Sequence, residues 1–125
     1  MIEAGATERR TVRVDEQRTI GFMGPELRVY ATPAIVADVE MACRDLLLGA
    51  LEPGYDSVGT RVEIDHLAAA RLGAEVNVEV TVTEASDRRV SFAATVRGGD
   101  TLLAEVVHQR AVVSVERLKQ RIARL

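Results

Sequence analysis

Three residues of this chain could together do acyl chemistry: the hydroxyl of Thr32, the carboxylate of Glu40 and the imidazole of His66. Thr32 and Glu40 fall in the stretch YATPAIVADVEMACRDLLLGAL, residues 30–51, whose apolar residues Ile35, Val36, Val39, Cys43, Leu46, Leu47 and Ala50 recur with a helical period. Thr32 reads as the N-cap of that helix and Pro33 as its first residue. Glu40 sits inside the apolar stripe, one turn from Val36, Cys43 and Leu47. A carboxylate on a buried face must find a partner, change its protonation or do chemistry. Asp38, Arg44 and Asp45 read as ordinary solvated positions. His66 lies on the apolar side of a later alternating segment. The plainer readings are a structural ion pair for Glu40, a mere cap for Thr32 and a satisfied core histidine for His66. A hydroxyl, a base and a proton carrier on one helix and an adjoining strand are what acyl transfer to water requires, which favours catalysis.

The rest of the chain must bring these residues together. Residues 1–8 read as a loose end, and Thr11–Val14, with Thr19–Ile20 as an extension, as a first strand. The segment from Gly21 to Tyr30 holds Phe22, Met23 and Tyr30 in a chain with only two Phe and two Tyr. It suits a flap over a pocket or, equally, a loop tucking its side chains into the core. The helix is expected to end near Leu51, before the Pro53–Gly54 turn. In residues 57–70, Val58, Thr60, Val62, Ile64, His66 and Ala68 alternate with Arg61, Glu63 and Asp65, the pattern of a half-buried strand. Val76, Val78, Val80 and Val82 mark a second such strand, and residues 89–99 a third. Gly98–Gly99–Asp100 signals a tight hairpin into a fourth, at residues 101–115. Ser114 then caps a short amphipathic helix. One long helix wrapped by one curved antiparallel sheet is an α+β hotdog fold, expected as a single domain over residues 1–125. Its open edges call for at least a homodimer.

Composition bounds the function class. The 125 residues are 47% hydrophobic and 28% charged, with 3% aromatics and a net charge of −3. There is no basic footprint for nucleic acid and no apolar run of membrane-spanning length. The single cysteine, Cys43, excludes an internal disulfide or a cysteine metal cluster and reads as a small core residue. The first residues lack the apolar core of a secretion signal, so a cytoplasmic location is expected, without metal or cofactor.

Several pieces in order resemble the fluoroacetyl-CoA thioesterase-like hotdog proteins. They are Ala31-Thr32 with Glu40 eight residues on, Leu51-Glu52-Pro53-Gly54, Ser57-Val58-Gly59-Thr60, His66, and His108-Gln109-Arg110-Ala111-Val112-Val113. They span residues 30 to about 118. The resemblance implies an acyl-CoA substrate, a Thr–Glu–His catalytic set in Thr32, Glu40 and His66, and a site at a dimer interface. It further implies that Gly59 offers its backbone N–H to the substrate carbonyl and that Arg110 is a polar contact beside the site. Phe22 and Tyr30 are expected to line the substrate side. The fluoro-specific pattern has a longer, Phe-bearing lid before the Thr, so hydrolysis is carried over but fluoroacetyl selectivity is not. A hotdog hydratase fits poorly, because both His66 and His108 follow the acid-bearing helix. A non-catalytic acyl-CoA-binding module is the alternative of another class.

Overall fold

The computed structural model describes all 125 residues. Five strands form one antiparallel sheet: β1 (Thr7–Arg13), β2 (Tyr55–His66), β3 (Glu75–Ala85), β4 (Arg89–Gly98) and β5 (Thr101–Ser114), in the spatial order β1-β3-β4-β5-β2. The long helix α1 (Thr32–Leu48) joins β1 to β2. Those two strands are the opposite edges of the sheet, so α1 has to cross the sheet from edge to edge. This is the hotdog arrangement expected from the sequence. The short helix α2 (Val115–Ile122) follows β5 and is capped by the Ser114 hydroxyl, which accepts from the Arg117 N–H.

Alternation puts Val76, Val78, Val80 and Val82 of β3 on the same buried face as Val90, Phe92, Ala94 and Val96 of β4. Ile35, Val39, Ala42, Cys43 and Leu47 of α1 close over that face. Each of the valine, isoleucine, leucine and phenylalanine side chains contributes roughly 1.5–3 kcal/mol on burial, so Val39→Asp in the middle of the helix would disrupt the fold. The Cys43 thiol is part of this core, and burial pushes its pKa up to about 12, which makes it an inert packing group. Gly99 takes the positive φ that the two-residue turn between β4 and β5 demands.

Four expectations are corrected. The N-terminus is not loose before residue 9: β1 begins at Thr7, and Ile2 is buried in the core. Helix α1 ends at Leu48, earlier than Leu51, with Gly49 as its C-cap. Asp38 is not a solvated position. Its carboxylate accepts from the Arg18 guanidinium at 2.9–3.1 Å and from the Tyr30 hydroxyl, which fastens the segment before the helix onto α1. Lastly, β2 does not keep one parity. Its pairing with β5 shifts between Gly59 and Arg61, so Ser57 and Gly59 share the inner face with Val62, Ile64 and His66, whereas Val58 turns outward.

No helix is long and apolar enough to cross a membrane. The outer edge of β2 pairs with nothing, and Val58 and Val62 on it are about 40% exposed.

Candidate active site

The local structure at the start of α1 decides what Thr32 does. Ala31 is the N-cap residue, in extended conformation, and no side chain caps this helix end. Thr32 is the first helical residue, followed by Pro33, so its hydroxyl is free of the backbone. It lies 2.7 Å from Nδ1 of His66, at the far end of β2. The expectation that Thr32 caps the helix is therefore corrected. With Nδ1 engaged, His66 has one working nitrogen left. That atom, Nε2, is shielded from solvent and has no hydrogen-bond partner within the protomer. A buried polar atom left unpaired is uncommon and calls for a group from elsewhere.

Glu40 lies in a different place. Eight residues of helix carry it about 12 Å along the axis from Thr32, and no hydrogen bond or ion pair joins it to Thr32 or His66. Its side chain is 39% exposed, more open than a position within the apolar stripe implied. Its partners come from β5 and β2. Arg110 Nη1 is 3.3 Å from Glu40 Oε2. The same nitrogen is 3.1 Å from His108 Nε2. The other side of the guanidinium donates to Ser57, from Nε to the hydroxyl at 2.7 Å and from Nη2 to the carbonyl at 2.8 Å. Arg110 is 5% exposed, and Glu40 is its one carboxylate partner. A buried cation held this way fixes its counterion in turn.

His108 is 1% exposed, and its tautomer follows from its contacts. Nδ1 lies 2.8 Å from the Arg61 carbonyl, which only accepts, so Nδ1 carries the proton. Nε2 faces Arg110 Nη1, which only donates, so Nε2 is the acceptor. Burial holds the His108 pKa below its ordinary value, in keeping with a neutral ring. Its approach to Glu40 at 3.8 Å is therefore proximity and not an ion pair. Phe92 of β4 stacks on the ring from the core side.

Gly59 belongs to the same cluster for want of space. A Cβ there would stand 2.6 Å from Glu40 Oε2 and 3.1 Å from His108 Cε1, so any larger residue would displace the carboxylate. The Arg44–Asp56 fork, at 2.6 and 3.0 Å, ties α1 to β2 beside it and holds the Asp56 carboxyl below its usual range.

The substrate-side aromatics divide. Phe22 is 82% exposed at the tip of the segment from Gly21 to Tyr30, whose base is tied down by the Ile20–Val29 and Ala31–Arg18 backbone bonds. Tyr30 is buried in the core with its hydroxyl on Asp38, and cannot contact a ligand from there. Ser57 and His108 are the site residues that reading for catalytic groups passed over. The available signal was polarity on an inward register: His108 and Arg110 continue the buried face begun by Ala104 and Val106.

The family model for fluoroacetyl-CoA-specific thioesterases matches residues 14–116. The chain belongs to that family of thioester hydrolases. It is 31% identical over 116 residues to the fluoroacetyl-CoA thioesterase of Streptantibioticus cattleyicolor, a match covering 87% of this chain and 84% of that protein. The structure of a fluoroacetyl-CoA thioesterase superposes with a TM-score of 0.90 at 26% identity, over 99% of this chain and 97% of that one. A thioesterase superfamily member from Thermus thermophilus gives a TM-score of 0.90 at 25% identity, over 99% and 93% of the two chains.

Proposed function

We propose that this protein, acting as one domain over residues 1–125, hydrolyses small acyl-CoA thioesters with Thr32, Glu40 and His66. The observation that carries this reading is the 2.7 Å contact of Thr32 with His66 Nδ1, which leaves the shielded Nε2 unpaired. His66 Nε2 is the atom that takes a proton from the attacking water and returns it to the thiolate that departs as the C–S bond breaks, giving the carboxylic acid and free CoA thiol. Glu40 acts as base or nucleophile, held by Arg110. Thr32 orients the imidazole, and Gly59, whose missing Cβ leaves room for the Glu40 carboxylate, offers its backbone N–H to the thioester carbonyl. Solved complexes of the fluoroacetyl-CoA thioesterase contain acetyl-CoA, or CoA with fluoroacetate. Acyl-CoA is the corresponding substrate class here.

Within one protomer the set is divided, and a homodimer unites it. The free edge of β2 and its exposed valines suit antiparallel pairing with a second copy. A two-fold axis between Val62 and Glu63 of β2 (Tyr55–His66) places His66 of one strand beside Gly59 of the other. Glu40, Arg110 and Gly59 of one copy then face Thr32 and His66 of the partner subunit. A cytoplasmic location accords with a CoA-ester substrate.

Release of free thiol from a panel of short acyl-CoAs tests the activity. Turnover of acetyl-CoA and related esters, lost in His66→Ala, is the expected result. Tight binding of CoA esters with no thiol release would instead make the protein a binding module.

A further inference from the structure

Four arginines gather where β2 and β5 meet the start of α2. Arg88 and Arg89 from the β3–β4 turn region and Arg117 and Arg121 from α2 line a cavity of about 580 Å³, together with Tyr55, Ser114 and Asp87. None of the four guanidiniums is in an ion pair with a carboxylate, although most other arginines on the sheet and α1 are: Arg9, Arg10, Arg44, Arg61 and Arg110 all have one. Against the single Asp87 they leave a local excess of three positive charges in a chain whose net charge is −3. The groove also holds Tyr55, 45% exposed, one of only two tyrosines. Unpaired guanidiniums recognise phosphate, and an open aromatic ring offers a stacking face to a base.

The groove lies a short way along β2 from the candidate active site. Tyr55 is two residues before Ser57, which holds Arg110, and four before Gly59, about 13 Å along an extended strand. We infer that this groove binds the phosphorylated adenosine end of the CoA substrate, with the arginines on its 3′-phosphate and diphosphate and Tyr55 against the adenine. The pantetheine arm then runs along β2 towards Gly59 and Glu40. This rests on the acyl-CoA reading above, and it assigns a purpose to α2, none of whose residues is buried.

The experiment compares wild type with Arg117→Glu/Arg121→Glu and with Tyr55→Ala, using two probes. Calorimetry with adenosine 3′,5′-bisphosphate reads binding without any need for turnover. Acetyl-CoA against the acetyl thioester of N-acetylcysteamine, which lacks the nucleotide, reads its use in catalysis. Expected are binding of the bisphosphate by wild type, weakened by tenfold or more in the double charge reversal and less in Tyr55→Ala. The preference in kcat/KM for the CoA ester should shrink through KM, and the salt dependence of KM should flatten. Undiminished bisphosphate binding by the charge-reversed protein, or none by wild type, would overturn the assignment. A protein that binds the bisphosphate through these arginines but hydrolyses neither ester would keep the groove and refute only the hydrolase reading.

Discussion

The two halves of the candidate site are built in opposite ways. Glu40 is held by Arg110, and Arg110 is held by Ser57 through two bonds and by a His108 whose tautomer is fixed from behind by the Arg61 carbonyl. Thr32 and His66 rest on one mutual contact, near the surface, with an imidazole nitrogen still unpaired. The first half is determined by the protomer's own fold. The second keeps Nε2 unpaired, open to a substrate and, in the proposed dimer, to a second copy. A network that is satisfied internally fixes geometry, whereas a reacting pair must keep an open valence for the group it acts on.

The largest effect expected from this contrast is on rate. Glu40→Gln and His66→Ala should each lower kcat by about 10²–10⁴, the usual cost of removing a positioned acid–base group. They should differ in stability. Glu40→Gln deprives the buried Arg110 of its counterion and should lower the unfolding free energy by about 1–3 kcal/mol, while His66→Ala should cost less. Chemical denaturation of both proteins checks the order, and equal losses would show that the Glu40–Arg110 pair does not anchor its half.

Arg110→Leu sharpens the same point. It removes the guanidinium that joins Glu40, His108 and Ser57, so a loss of about 1–3 kcal/mol is expected, together with a lower kcat as Glu40 swings free. Arg110→Lys should restore little of either, since a lysine cannot serve Ser57 and Glu40 with one planar fork. Near-wild-type kinetics in Arg110→Leu would break the comparison.

A pH effect follows from His108. Burial puts its folded pKa below the ordinary 6.5, so the unfolded chain binds the proton more readily than the folded one. Its contribution to stability is complete above the unfolded pKa and is lost as pH falls from there through the folded pKa. Thermal unfolding followed from neutral pH downward should show this loss in wild type, and His108→Gln should flatten it. An unchanged slope in the variant would place the titration elsewhere.

The smallest effect expected is on stability in Thr32→Ala. A lost N-cap typically costs about 1 kcal/mol, but this hydroxyl caps nothing, so the midpoint of denaturation should barely move while kcat falls. Thr32→Ser should keep most of the activity. A full capping penalty in Thr32→Ala would mean that the hydroxyl serves the helix and not His66.

What could be read from the chain and what could not divide along the same line. Period-2 runs such as Val76–Val82, the Gly99 turn and the Ser114 cap are local, and they appear where their patterns put them. The parity change at Gly59–Arg61 was invisible, because a bulge adds one residue without any mark in composition. Asp38 passed for solvated because Arg18 and Tyr30, which cover it, approach through tertiary structure. Thr32 was legible as a residue of interest but not as a non-cap, since the choice depends on His66, 34 positions away. Glu40 was expected to be more enclosed than it is, because the helical stripe is narrower at its edge than the apolar pattern suggests.

Whether two copies complete each site is tested most directly by mixing two inactive proteins. Glu40→Gln and His66→Ala are unfolded together and refolded, or co-expressed, so that mixed dimers form. If each site takes Glu40 from one copy and His66 from the other, every mixed dimer holds one intact site, and random pairing restores about a quarter of wild-type turnover. Mixed dimers that form and hydrolyse no more acyl-CoA than either parent would contradict the account.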